Sequence, residues 1–169
     1  MAAQQVLFRE EQHFRQTWLW VVVLGVSAIF WSGFVAQVLL GNSFGSRPAS
    51  DVELILLFLL MGIGLPFFFY RMSMTTVVQP GELQARFWPF HLRPVRIPLR
   101  TLRGYERITY KPLRDYGGWG IRWGMKGKAY NVSGNEGVLL HFYDKKPLLI
   151  GSQRAKELFD AIRQAKEGG

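Results

Sequence analysis

Residues 18–40 read WLWVVVLGVSAIFWSGFVAQVLL and contain no Asp, Glu, Lys or Arg. A helix of this length, at about 1.5 Å per residue, covers the roughly 30 Å hydrocarbon core of a bilayer. After a polar break, residues 52–70 read VELILLFLLMGIGLPFFFY, with Glu53 as the single charged residue, in the first turn. A buried hairpin in a soluble protein is the alternative, but two spans of this composition favour a transmembrane helical hairpin over residues 17–70.

The charges around the two spans predict the orientation of the hairpin. Arg9 and Arg15 precede the first span and Arg71 follows the second, whereas the connecting loop contains only Arg47. From Arg71 onward there are 18 Lys and Arg residues against 8 Asp and Glu, a net charge of about +10, whereas the residues before it carry about −1, for a total of +9. Lys and Arg are enriched on the cytoplasmic side of membrane proteins. We therefore expect both termini to be cytoplasmic and the loop external.

Residues 1–16 form a short cytoplasmic tail in this interpretation. Val6, Leu7 and Phe14, with the charges between them, predict an interfacial helical turn that leads into the first span. The apolar stretch that follows is too long for a cleaved signal peptide, and no cleavage site of the A-x-A type follows it.

Small residues and a proline predict how the two helices pack. Ala28, Ser32 and Ala36 recur every fourth residue, a spacing that allows close approach of a second helix. We expect that helix to be the second span, with a dimer contact as the alternative. Pro66 lacks a backbone N–H, so it should kink or loosen the second helix.

The pattern changes after residue 71 from continuous apolar runs to short alternating segments. Leu83, Ala85 and Phe87 alternate with polar residues, as in a half-buried strand, and similar segments continue to residue 150. Ser152 is a plausible N-cap, and a closing helix follows with its apolar residues on one face. Six or seven short strands and one helix predict a small antiparallel β-barrel or sandwich capped by a C-terminal α-helix, an α+β domain over residues 71–169.

Several segments of this domain carry a resemblance to a known family. These segments are residues 96–103 (RIPLRTLR), 137–142 (GVLLHF) and 146–158 (KPLLIGSQRAKEL). The first resembles a strand that leads into a turn in the pleckstrin-homology-like (PH-like) domains of bacterial membrane proteins. The other two resemble the last hairpin of those domains and the start of their closing helix. Residues 116–122 (YGGWGIR) and 129–134 (AYNVSG) look like those of two-span members of that group. The resemblance covers roughly residues 72–166 and implies a PH-like fold in a bacterial plasma membrane.

The region from Lys111 to Tyr130 is the best binding candidate, because it combines cations, aromatic rings and glycines. Guanidinium and ammonium groups bind phosphate or carboxylate, and aromatic rings suit a membrane interface or a partner. Backbone amides at Gly117, Gly118 and Gly120 would approach an anion closely. A solvated loop whose rings fold back on the domain is the alternative. The candidate residues are Lys111, Arg114, Tyr116, Trp119, Arg122, Trp123, Lys126 and Lys128.

No catalytic, metal or cofactor site is predicted. The chain has no cysteine, and its three histidines, His13, His91 and His141, share no ligand spacing. Ser133, His141 and Asp144 are the residue types of a hydrolytic triad, but no nucleophile elbow supports that role.

These observations favour a non-catalytic membrane protein whose PH-like domain docks a protein partner or an anionic lipid surface. An accessory subunit of a larger membrane complex is the alternative, and a small membrane-bound enzyme is the remote one. Nucleic acid is not expected as a partner, because that role suits a freely diffusing protein better.

Overall fold

A computed structural model describes residues 5–124 and 127–167. The chain divides into two compact units: a helical unit, Phe14–Arg71, and a β-rich unit made of the described residues up to His13 together with those from Met72 onward. The helices are α1 (Thr17–Gly33), α2 (Asp51–Leu57), α3 (Leu65–Arg71), α4 (Pro112–Tyr116) and α5 (Ala155–Glu167). The strands are β1 (Phe8–His13), β2 (Ser73–Gln79), β3 (Glu82–Trp88), β4 (Val95–Pro98), β5 (Leu102–Thr109), β6 (Gly120–Gly124), β7 (Gly127–Asn131), β8 (Glu136–Phe142) and β9 (Leu148–Gly151).

The helical unit contains the two long apolar helices that the sequence predicted. One continues from α1 through a π-helical segment to Leu39, and the other runs from Asp51 to Arg71 through α2, a second π-helical segment and α3. They are 23 and 21 residues long, long and apolar enough to cross a membrane. Ser50 begins the second helix with a capping box, because its N–H donates to the Glu53 carboxylate at 2.9 Å and its hydroxyl accepts from the Glu53 N–H.

Pro66 has a specific consequence for packing in the helical unit. The carbonyl of Gly62 lies four residues before Pro66, which has no N–H to donate to it. Ser27 Oγ donates to this carbonyl at 2.6 Å and Trp31 Nε1 donates to it at 3.2 Å. The first helix therefore satisfies a backbone acceptor that proline leaves open in the second, within the π-helical segment Phe58–Gly64.

The predicted small-residue contact is wrong. Ala28 and Ser32 are exposed, while Val23, Ser27 and Gly33 are the buried positions of the first helix. The reason is that the two donors to the Gly62 carbonyl, with rings such as Phe58 stacked on Phe34 at 4.2 Å, decide which face meets the second helix.

The N-terminal segment is a β-strand, and the predicted helical turn is wrong. β1 pairs antiparallel with β2, with Phe8 opposite Val78 and His13 opposite Ser73. The four-stranded sheet has the order β1-β2-β3-β4, so the helical unit is inserted in the chain between two neighbouring strands. The strand forms because its amides find ladder partners on β2, which a helical turn of this short segment would not provide.

The second sheet has five strands in the order β5-β8-β9-β7-β6. All neighbours are antiparallel except β7 and β9, which run parallel. The structure is therefore mixed α+β with two separate sheets. Of the predicted barrel or sandwich, a closed, wholly antiparallel barrel is wrong for the described residues, and these contain eight strands from Ser73 onward where the sequence predicted six or seven.

The closing helix α5 packs against strands of both sheets, as the amphipathic pattern predicted. Leu158 and Ile162 are fully buried, and they lie one turn apart on the face that the sequence assigned to the core. Burial of each such side chain contributes about 2 kcal/mol. α5 therefore joins the two sheets into one core.

Candidate functional site

The candidate region from Lys111 to Tyr130 is more regular than its composition predicted. It contains the short helix α4 and the β6–β7 hairpin, in which Trp123 is opposite Lys128 and Ile121 is opposite Tyr130. α4 lies directly against the end of β6. The contact is so close that a side chain at position 124 would overlap the backbone of Asp115 and the ring of Tyr116. Glycine at position 124 is therefore what lets the helix and the hairpin meet.

The three glycine amides are engaged within the protein, so they do not form the predicted anion cradle. Gly117 N–H donates to Leu113 O at 3.0 Å and Gly118 N–H donates to Pro112 O at 2.9 Å, which closes α4 with a left-handed residue at Gly117. Gly120 N–H donates to Asn131 Oδ1 at 2.9 Å. The glycines serve the turn geometry here.

Tyr116 belongs to the core. It is 3% exposed and packs edge to face against Tyr110, with ring centroids 5.8 Å apart. Burial raises the pKa of both phenols, to about 12 for Tyr110, whose oxygen accepts a hydrogen bond from Asn131 Nδ2 at 3.2 Å. A side chain this buried does not contact a partner at the surface.

Four other candidates are distributed around this core. Lys111 and Arg114 are exposed at α4, where Asp115 bonds to the Lys111 N–H and lies 3.4 Å from Arg114 Nε. Trp119 Nε1 donates to Gly134 O at 3.1 Å, and Arg122 Nε donates to Trp119 O at 2.8 Å. Lys126 lies outside the described residues.

Trp123 and Lys128 are brought together at the surface. They are cross-strand partners, so their side chains project from the same face of the hairpin, and Arg122 projects from the other. Lys128 Nζ lies 4.6 Å from the Trp123 ring and 4.7 Å from the Tyr130 ring. Trp123 is 76% exposed, whereas Tyr130 is buried. The Lys128 ammonium is thus held between a buried ring, Tyr130, and a solvent-exposed ring, Trp123.

The β3–β4 turn adds apolar residues that the sequence analysis missed. The His91 ring lies 5.2 Å from the Tyr130 ring, and on either side of His91 the side chains of Phe90 and Leu92 are 60% and 74% exposed. The sequence signal that could have indicated them is two large apolar residues, Phe90 and Leu92, that alternate with His91 and precede Arg93. We call Phe90, Leu92, Trp123 and Lys128 the aromatic–cationic surface.

His91 lies between the two parts of this surface, and its protonation is influenced by Lys128. Its Nδ1 accepts a hydrogen bond from the Phe87 N–H at 3.3 Å, which requires an unprotonated Nδ1. Burial lowers the pKa of His91, and the nearby Lys128 ammonium lowers it further. The imidazole is therefore held neutral, which leaves Lys128 as the cation at this position.

The residues of hydrolytic type have separate partners. Ser133 Oγ accepts from Gln153 Nε2 at 2.6 Å, and His141 Nε2 lies 2.9 Å from Glu106 Oε1. Within residues 5–124 and 127–167, no group of three His, Cys, Asp or Glu residues could hold a metal ion. The chemistry that the aromatic–cationic surface offers is apolar burial combined with attraction of negative charge.

Comparison with known proteins places the chain in a family. The model of the family of unknown function DUF6141 matches residues 2–167, which include β1, both long helices and α5. The chain belongs to DUF6141. The family match spans both units, so the insertion of the helices between β1 and β2 lies within the matched region. Among curated proteins, none matches the chain.

Proposed function

We propose that this DUF6141 protein is a non-catalytic membrane-anchored module, with a domain of PH-like type that docks on the anionic lipid surface at the cytoplasmic face of a bacterial plasma membrane. The observation that carries the proposal is the aromatic–cationic surface, where Trp123 is largely exposed against Lys128 and Phe90 and Leu92 are largely exposed on either side of His91, which contacts Tyr130. Large exposed apolar side chains beside a cation are typical of membrane-interacting surfaces.

The pairing of β1 with β2 supports the orientation. His13 precedes the first long helix and Ser73 follows the second, yet the two residues are register partners in one sheet. A sheet cannot form across a bilayer, so this pairing supports a hairpin in which the second helix brings the chain back to the side of β1. Two crossings satisfy this condition and one does not, which agrees with cytoplasmic Arg9, Arg15 and Arg71.

Tethering makes weak docking effective. A domain linked to a membrane helix meets the lipid surface at an effective concentration on the order of mM, so modest contacts suffice. Each Lys or Arg close to an anionic leaflet contributes about 1 kcal/mol, and an interfacial tryptophan adds apolar burial. The predicted role is to hold the domain, and whatever it binds, at the lipid headgroups.

The absence of cysteine allows a direct test in the full chain. Leu92→Cys, labelled with an environment-sensitive fluorophore, is reconstituted in nanodiscs of zwitterionic lipid or with about one third anionic lipid. We expect a blue-shifted emission in the anionic discs that reverts as salt rises, since exposed charges are screened. Lys128→Gln in the labelled protein should weaken the response.

Lys156→Cys is the matched control, because Lys156 is exposed and lies on α5, which contributes no residue to this surface. Its emission should not depend on lipid charge. Equal responses at positions 92 and 156, or no response at either, would exclude docking through the aromatic–cationic surface.

An accessory subunit of a larger membrane complex, with a protein as the partner, is the second candidate. It is favoured by the outward position of Ala28 and Ser32, which leaves a small-residue face of the first helix uncovered within the helical unit. Photocrosslinking from position 28 in native membranes tests this candidate. A crosslinked second polypeptide that is lost when Ala28 and Ser32 are changed to leucine would support it.

A further inference from the structure

A surface cavity of about 530 Å³ opens on the five-stranded sheet, where β5 begins and β8 ends. Its floor is formed where Gly104 is opposite His141, immediately after an irregularity in the register between Leu102 and Gly104. Nothing lies within 4 Å of the position that a side chain at Gly104 would occupy. The cavity is lined by Arg103, Gly104, His141, Phe142, Lys145 and Pro147.

The ionisable groups that line this cavity are all basic. Arg103 comes from the bulged segment of β5 and Lys145 from the β8–β9 turn, and His141 lies between them on β8. Among the described residues, no carboxylate lies within ion-pair distance of Arg103 or Lys145. Glu106 contacts His141 at 2.9 Å but does not line the cavity.

An aromatic ring holds one of the cations, Lys145, in place. Lys145 Nζ lies 4.2 Å from the Phe142 ring, and Phe142 is 8% exposed, so the ammonium rests on a ring that is itself packed in the sheet. Pro147 fixes the chain at the end of the same turn. Two cations without acidic partners, an imidazole and a floor without a side chain together favour an anion with a bulky substituent.

We propose that this cavity binds a phosphate monoester, with Arg103 and Lys145 on the phosphate oxygens, His141 beside them and the ester substituent over Phe142 and Pro147. The cavity is several times larger than a phosphate group, so it accommodates the group to which the phosphate is attached. The site shares no residue with the aromatic–cationic surface and does not depend on the proposed lipid docking. The phosphate can come from a lipid headgroup or from a soluble metabolite.

The test uses the full chain in nanodiscs, with ring-labelled histidine observed by NMR. Glycerol 3-phosphate is titrated into zwitterionic discs, and separately the protein is placed in discs that contain phosphatidic acid. We expect the His141 signals, assigned with His141→Gln, to shift in a saturable way. Arg103→Gln and Lys145→Gln should each weaken binding by about tenfold, the effect of losing one charged hydrogen-bond donor. Lys156→Gln on α5 is the charge-matched control and should bind as the wild type does.

The arms separate the sources of the phosphate. A shift with phosphatidic acid at concentrations where glycerol 3-phosphate has little effect supports a lipid headgroup, and the reverse supports a soluble ester. Shifts of His13 and His91 equal to those of His141 would indicate nonspecific association and overturn the proposal. So would binding that Arg103→Gln and Lys145→Gln leave unchanged, or the lack of any shift in both arms.

Discussion

Glu10 accepts a hydrogen bond from Ser152 Oγ at 2.6 Å, although the two residues are 142 positions apart. The same carboxylate accepts from the Gln153 N–H at 3.0 Å, and Ser152 Oγ accepts from the Arg154 N–H at 3.0 Å. A residue that precedes the membrane-length helices therefore helps to hold the turn, Ser152 to Arg154, that leads into α5. The first and last elements of the chain are joined in one core.

Glu10→Gln should lower the stability of the β-rich unit by about 1–3 kcal/mol, because a buried, charged acceptor of two hydrogen bonds is replaced by a neutral one. Thermal unfolding of the full chain in a mild detergent, followed by far-UV circular dichroism, measures this. Glu11→Gln is the control, since Glu11 is exposed on the same strand and its carboxylate lies 3.4 Å from His13 Nε2. Equal melting temperatures for the two variants would contradict the role of Glu10 in holding the turn before α5.

Residues 72–169 expressed alone should not form a stable domain. Without β1 the fragment loses the buried Phe8 and Glu10, and it exposes the edge of β2 as a site of aggregation. Joining residues 5–13 to residue 73 through a short Gly-containing turn should restore a soluble, cooperatively folding protein, because His13 and Ser73 are already neighbours. Sedimentation and chemical denaturation compare the two proteins. A well-folded 72–169 fragment of the same stability would show that β1 is dispensable.

Ser27 and Trp31 both donate to the Gly62 carbonyl, so the effect of removing these two donors should depend on whether residue 66 is proline. Ser27→Ala combined with Trp31→Phe should destabilise helix pairing by roughly 1 kcal/mol, the usual size of two interhelical hydrogen bonds. Pro66→Ala restores an N–H four residues after Gly62, so the same double change should cost less in that background. Steric-trap unfolding in micelles provides the free energies. Ser32→Ala is the control, since Ser32 bonds within its own helix to Ile29 O at 2.8 Å.

His91 should make the stability of the β-rich unit depend on pH. Its pKa is lowered from 6.5 in the folded state, so the unfolded chain binds the proton more readily. The contribution of neutral His91 is complete above its unfolded pKa and decreases as pH falls below that value. Between about pH 7.5 and about pH 5.5, unfolding by urea should become easier, and less so in His91→Gln than in the wild type. An equal pH dependence of stability in His91→Gln and in the wild type would contradict this role of His91.

Local composition was enough to predict those helices and strands whose own residues carry the pattern that identifies them. The two long helices follow from uncharged runs of membrane length, α5 from its apolar face, and strands such as β3 from alternation. Trp123 and Lys128 were among the eight candidate residues, because cations and rings are close in the sequence. Their contact distance, and the exposure of Phe90 and Leu92 nearby, depend on how β6, β7 and the β3–β4 turn fold together.

The sequence by itself determined two membrane-length helices, a β-rich region and a closing amphipathic helix, because each depends on residues that are neighbours along the chain. Only the tertiary structure decided that residues 8–13 are a strand. Its inward positions are Phe8, Glu10 and Gln12, of which two are polar, so no hydrophobic alternation marks them. Those polar groups are buried because Ser152 and Gly151 supply their hydrogen bonds from the far end of the chain. A partner that distant leaves no trace in local pattern, and that is the physical reason why β1 could not be predicted.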